Sequence, residues 1–104
     1  MDSGTTNEET IRSALDAALQ DHDPSVRAFA VRALAIRDDA QAVGYLEQAL
    51  HDPSPEVRIM AIESVVPEKH GVDLLKDALS DADEAVRAVA AVRLNPELQR
   101  GHSE

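Results

Sequence analysis

Two histidines stand among carboxylates in this 104-residue chain, in Asp21-His22-Asp23 and in His51-Asp52. Imidazole nitrogens and carboxylate oxygens are the donors of divalent metals, but a metal site needs three or four of them converging on one point. If the two clusters occupy equivalent turns of neighbouring helical units, they lie about 8–10 Å apart. That is too far for one ion, so both are read as solvated turn residues, with no metal and no cofactor. His70 and His102 stand alone. No Gly-rich phosphate loop, Gly-x-Ser-x-Gly elbow or His-Glu-x-x-His helix occurs. There is no cysteine, hence no disulfide framework, thiolate zinc site or Cys nucleophile. The expectation is a non-enzyme with no catalytic residue.

The elements that position these residues repeat. Ala49-Leu50-His51-Asp52-Pro53-Ser54-Pro55-Glu56-Val57-Arg58 has an earlier counterpart in Ala18-Leu19-Gln20-Asp21-His22-Asp23-Pro24-Ser25-Val26-Arg27. A later one reads Ala78-Leu79-Ser80-Asp81-Ala82-Asp83-Glu84-Ala85-Val86-Arg87. A period near 30 residues predicts a stacked array, because one such unit cannot bury its apolar face alone. The fold expected is all-α: an α-solenoid of three stacked antiparallel helix pairs in a single domain, 1–104. The repeats are placed at about 8–37, 39–66 and 68–95, with a tail over 96–104 where a fourth repeat begins and fails.

Each pair carries helix signals. Thr6 and Glu9 have capping-box spacing, which predicts a first helix after a frayed start, with Ile11, Leu15, Ala18 and Leu19 in one stripe. Asp23 with Pro24, and Ser54 with Pro55, read as N-cap and first helical residue. The buried stripes expected are Val26, Ala30, Ala33 and Leu34 in the second helix, and Val57, Ala61, Ser64 and Val65 in the fourth. The third helix, started by Asp38 and Asp39, uses Ala42, Val43, Leu46, Ala49 and Leu50. Pro67 ends the fourth. The fifth runs from about Val72 with Leu75, Ala78 and Leu79 inward. Asp83 caps the sixth, which buries Val86, Ala90 and Leu94.

Composition narrows the partners. A formal net charge of −10 argues against nucleic acid, whose phosphates need clustered Lys and Arg. It argues equally against an anionic membrane surface. The start of the chain lacks the basic and apolar regions of a signal peptide, and no run of 18 apolar residues occurs; a soluble, cytoplasmic protein is expected. Phe29 and Tyr45 are the only aromatics, so the core is expected from Ala, Val, Leu and Ile.

The pattern Leu15-x-x-Ala18-Leu19-x-Asp21, then Pro24-x-Val26-Arg27-x-x-Ala30-x-x-Ala33-Leu34, resembles the short HEAT-like repeats associated with phycobilisome lyases. The third copy departs from it at Glu84 and Arg93. The resemblance implies that the first helix of each pair lines the convex face and the second the concave face. It also implies a buried polar ladder of Asp21, Asp52 and Asp81 with Arg27, Arg58 and Arg87. Di-iron HEAT-like enzymes carry His-Glu dipeptides, and this chain has none. On the concave face the outward residues expected are Ser25, Ala28 and Arg32; Glu56, Ile59 and Glu63; and Ala85, Ala88 and Val92. Of these, Ala28, Arg32, Glu56, Ile59, Glu63, Ala88 and Val92 are the candidate binding residues. An apolar floor rimmed by carboxylates suits a basic or amphipathic protein or peptide. The function expected is a non-enzymatic protein-interaction scaffold, monomeric or weakly self-associating. The alternative, from the resemblance alone, is a lyase-like or chaperone accessory subunit for a chromophore-bearing or other client.

Overall fold

A computed structural model describes residues 3–37 and 40–95, with side chains from Asn7 onward. Among these residues there are seven helices and no strand. α1 (Ser3–Ala18) and α2 (Pro24–Arg37) form the first hairpin; α3 (Ala42–Ala49) and α4 (Pro55–Ser64) form the second. The third comprises α5 (Pro67–His70), α6 (Asp73–Ala78) and α7 (Glu84–Leu94). The second helices make the spine: α2 packs on α4, and α4 on α7. α3 lies against both α2 and α4, and α6 against both α4 and α7. The result is the all-α solenoid that the repeat period predicts.

The helix starts follow from local chemistry. Asp23 Oδ1 accepts the Ser25 N–H at 2.9 Å, and Asp83 Oδ1 accepts those of Ala85 and Val86 at 2.8 and 3.1 Å. These bonds satisfy amides that a first helical turn leaves free. Ser54 has the extended backbone of an N-cap, but its hydroxyl makes no capping bond. Asp52 Oδ1 instead holds the Ser54 N–H, at 2.9 Å. α1 begins at Ser3, ahead of the Thr6 start that the capping spacing predicts; Gly4 costs a helix only about 1 kcal/mol and does not stop it. Asp38, Asp39 and the aborted fourth repeat lie outside the described residues.

Pro67 does two jobs. Val65 and Val66 are extended (ψ 130° and 104°), ending α4, as the residue before a proline requires. Pro67 is then the first residue of α5, a turn the sequence reading left out. His70 Nδ1 accepts the Val66 N–H at 2.9 Å and steadies that turn. Gly71 closes it at φ 81°, a left-handed conformation that favours glycine.

The core is aliphatic. Val31, Leu34, Leu46, Val57, Ile62, Val65, Leu75 and Val86 are fully buried, and no polar side chain among the described residues is. Each such side chain contributes about 1.5–3 kcal/mol relative to exposure. The buried set departs from the expected stripes. In α2 it is Ala28, Ala30, Val31, Leu34 and Ala35, with Val26 and Ala33 only partly covered. Ile62 and Leu74 are buried, whereas Ile11, Val43 and Leu79 are exposed. The reason is packing geometry. A second helix is packed by its own pair and by the next repeat, so its buried arc is wider than one stripe, while a first helix is covered on a narrower arc.

Candidate functional site

The turns carry a polar ladder that joins repeats to one another. Arg27 Nε and Nη2 donate to Asp52 Oδ2 and Oδ1, both at 2.9 Å. Arg58 does the same to Asp81, at 2.9 and 3.1 Å. Each arginine reaches the aspartate of the following repeat. Its third nitrogen turns back: Arg27 Nη1 donates to the carbonyls of Asp21 and His22, and Arg58 Nη1 to that of Asp52. A planar guanidinium has the fork for a bidentate carboxylate and a donor to spare for a helix end. These four side chains are between 11% and 16% exposed, so the ladder is largely but not fully buried.

The aspartates respond to this setting. Burial pushes the Asp52 carboxyl up; the Arg27 hydrogen bond, the Ser54 N–H and the charges of Arg27 and Arg58 outweigh it and hold the group below the ordinary carboxylate value. At Asp81 burial again opposes, and the Asp83 N–H, the Arg58 bond and the charges of Arg58 and Arg87 prevail. The Asp52 hydrogen bond, above all, raises Arg27 against some desolvation.

Arg93, one of the departures from the repeat pattern, has a structural use. Its Nη1 donates to the carbonyls of Ile62 and Glu63 at 3.0 and 2.8 Å, and its Nη2 to that of Val65 at 2.7 Å. Those carbonyls stand where α4 ends, that of Ile62 also accepting the Val65 N–H at 3.4 Å, and a cation there meets the negative end of the helix dipole.

The second candidate region is the face of α2, α4 and α7 turned away from the first helices. Ser25 Oγ donates to Glu56 Oε2 at 3.1 Å, which sets α2 and α4 in the register of the repeat, 31 positions apart. In that register Arg32 is level with Glu63 and Val92, and Phe29 with Met60 and Val89. Arg32, Glu56, Glu63 and Ala88 are exposed; Ile59 and Val92 are partly buried, and Ile59 packs against the core. Ala28 is 3% exposed and belongs to the core, not to this face. It is part of the core cluster that includes Val57, Ala61 and Ile62 of α4. Sequence reasoning missed the largest apolar groups here. Phe29 and Ile36 are 63% and 68% exposed. Their spacing of seven, with Arg32 between, was the available signal.

A cleft of about 490 Å³ opens at the turn edge, lined in part by Asp21, His22, Arg27, Tyr45, His51 and Asp52. Arg27 and Asp52 are already engaged with each other there. Among the described residues no three His, Asp or Glu side chains are placed to hold a metal ion. No helix among them is long and apolar enough to cross a membrane.

Residues 4–66, more than half of the chain, match the sequence profile of HEAT repeats. A comparison with curated proteins found no match.

Proposed function

The chain belongs to the HEAT repeat family, whose repeats generally mediate protein–protein interaction, and on that premise we propose that it is a non-enzymatic cytoplasmic scaffold binding a basic, amphipathic helix or peptide along the open face of α2, α4 and α7. The observation that carries this reading is the pairing on one face of exposed Phe29 and Ile36 with the exposed carboxylates of Glu56 and Glu63. Two large apolar side chains seven residues apart cost water-exposed area with no structural return, and a helix laid across them recovers it. The acidic rim and the net charge of −10 select a basic edge on the ligand and speed its approach, an effect that fades as salt rises. We assign partner binding to Arg32, Glu56, Glu63 and Val92; Ala88 stands at the repeat position of core Ala28 and is left out of this face. A chromophore-bearing client is the narrower form of the reading and predicts visible absorbance that co-purifies with the chain.

The test is fluorescence anisotropy with two labelled amphipathic peptides of identical apolar pattern, one edged with lysine and one with glutamate. The lysine-edged peptide binds the wild-type chain, binds less in high salt, and is lost by Phe29→Glu combined with Ile36→Glu. Equal affinity for both peptides, or an unchanged affinity in the double variant, removes the open face as the binding site.

A further inference from the structure

Among the described residues the ladder is closed at its inner junctions and open at both ends, and the ends match. At the C-terminal end Arg87 is anchored as the inner arginines are. Its Nη1 donates to the carbonyls of Asp81 and Ala82 at 2.8 and 3.1 Å, the same two distances that Arg27 Nη1 makes to Asp21 and His22. In Arg27 and Arg58 this anchor accompanies a fork closed on the next aspartate. Arg87 has the anchor, and among the described residues no carboxylate meets its fork. At the N-terminal end Asp21 lacks the other half. Its Oδ1 accepts the Asp23 N–H at 2.8 Å, the same turn that sets Asp52 at 2.9 Å and Asp81 at 2.8 Å. Both of those receive an arginine fork; Asp21 receives none among the described residues.

The side chains around each open end tell the same story. Val57 and Val86 are buried beneath a preceding repeat, while their counterpart Val26 is only partly covered. At the other position the covering is graded: Ala28 is buried and Ile59 partly buried, while their counterpart Ala88 at the end of the stack is exposed. Each end thus exposes more of an apolar position than the inner junctions do, together with half of an ion pair that they close.

We infer that the two ends are complementary docking faces and that the occupant of each is the opposite end of a second copy of this chain. Arg87 of one copy takes Asp21 of the next, in the bidentate geometry of Arg27 with Asp52 and of Arg58 with Asp81. Such a head-to-tail contact is heterologous and propagates, giving short open rows of copies and no closed dimer. It leaves the face of α2, α4 and α7 uncovered, so it stands independently of peptide binding there. A charge of −10 on each copy resists approach at low ionic strength. Screening beyond about 8 Å at physiological salt removes that repulsion while the contacting pair, shielded from solvent, keeps most of its attraction.

Sedimentation velocity on the full chain at physiological salt, from micromolar to millimolar concentration, tests this. The wild-type sedimentation coefficient rises with concentration. Arg87→Glu alone places two acids at the contact, and Asp21→Arg alone places two cations there; each lowers the association constant at least about tenfold. An equimolar mixture of the two variants restores association, because the acid introduced in one meets the cation introduced in the other. Ala88→Glu, on an exposed position, also weakens association while circular dichroism and melting temperature stay at wild-type values. A strictly monomeric wild type overturns the inference. So does association that both single variants retain, or a mixture of two folded variants that stays monomeric.

Discussion

The turn edge and the open helix face are built from the same three repeats, yet they treat repetition differently. Along the turns the residues recur almost unchanged: Asp21, Asp52 and Asp81 each bind the amide two residues on, and Arg27, Arg58 and Arg87 each hold the carbonyls of their own turn. Across the open face the equivalent positions differ in chemistry. Arg32 is level with Glu63 and Val92, and Phe29 with Met60 and Val89. Contacts that hold a stack together must work identically at every junction. A face on which only some residues meet a neighbouring repeat, as Ser25 meets Glu56, has more freedom to diverge. The edge therefore repeats its contacts while the face varies its chemistry, and such variation is what the proposed partner site requires.

The largest expected effect breaks the edge at an inner position. Arg58→Ala strands Asp81 largely out of water and frees the Asp52 carbonyl, at a cost of about 3 kcal/mol. Arg87→Ala removes only the carbonyl bonds of an exposed guanidinium and costs about 1 kcal/mol or less. Thermal melts check the order; equal losses would mean that the ladder carries no more weight inside the stack than at its end.

Acid weakens the same edge more gradually. Asp52 and Asp81 are held below their ordinary value of 3.8 in the folded chain, so the unfolded chain takes up protons first as pH falls. Their stabilisation is fully present above about pH 4 and is lost as pH drops through the lowered folded values. Melting temperature against pH checks this: Asp81→Asn starts less stable at neutral pH and loses less than wild type below pH 4. Parallel curves would remove Asp81 from the acid response.

The smallest effect sharpens the other side of the comparison. Phe29→Gln with Ile36→Gln changes stability by no more than about 0.5 kcal/mol, because both side chains already face water. A denaturant midpoint that falls well below wild type would place them in the core.

Much of the fold is legible in single residues. Asp23, Pro24, Pro55, Pro67 and Asp83 mark helix boundaries because capping and proline geometry act locally. The one-turn helix α5 escapes this reading because the same Pro67 that ends α4 also opens α5. The partners of the ladder are less legible. Arg27 is near Asp21 in sequence, but its fork closes on Asp52, and that choice is made by how hairpins stack. Ala28 shows the same limit on the open face. A one-stripe pattern puts it outward, and only the presence of α4 alongside makes it core. The spacing of seven puts Phe29 and Ile36 on one side of α2 with Arg32, and the neighbours of α2 then leave that side to water.

Arg93 bears on alignment as well as strength. α4 packs on α7, each carries a fully buried alanine, Ala61 and Ala90, and small side chains give a helix little to stop it sliding lengthwise. The carbonyls that Arg93 grips stand where α4 runs out. Shifting α7 by a single turn, about 5.4 Å, would carry the guanidinium off that end, and would pull the Asp81 turn away from Arg58 at the other. Two polar fastenings at opposite ends of a smooth contact thus admit one axial position and refuse its neighbours, much as two pins fix a rod that one pin would leave free to swing.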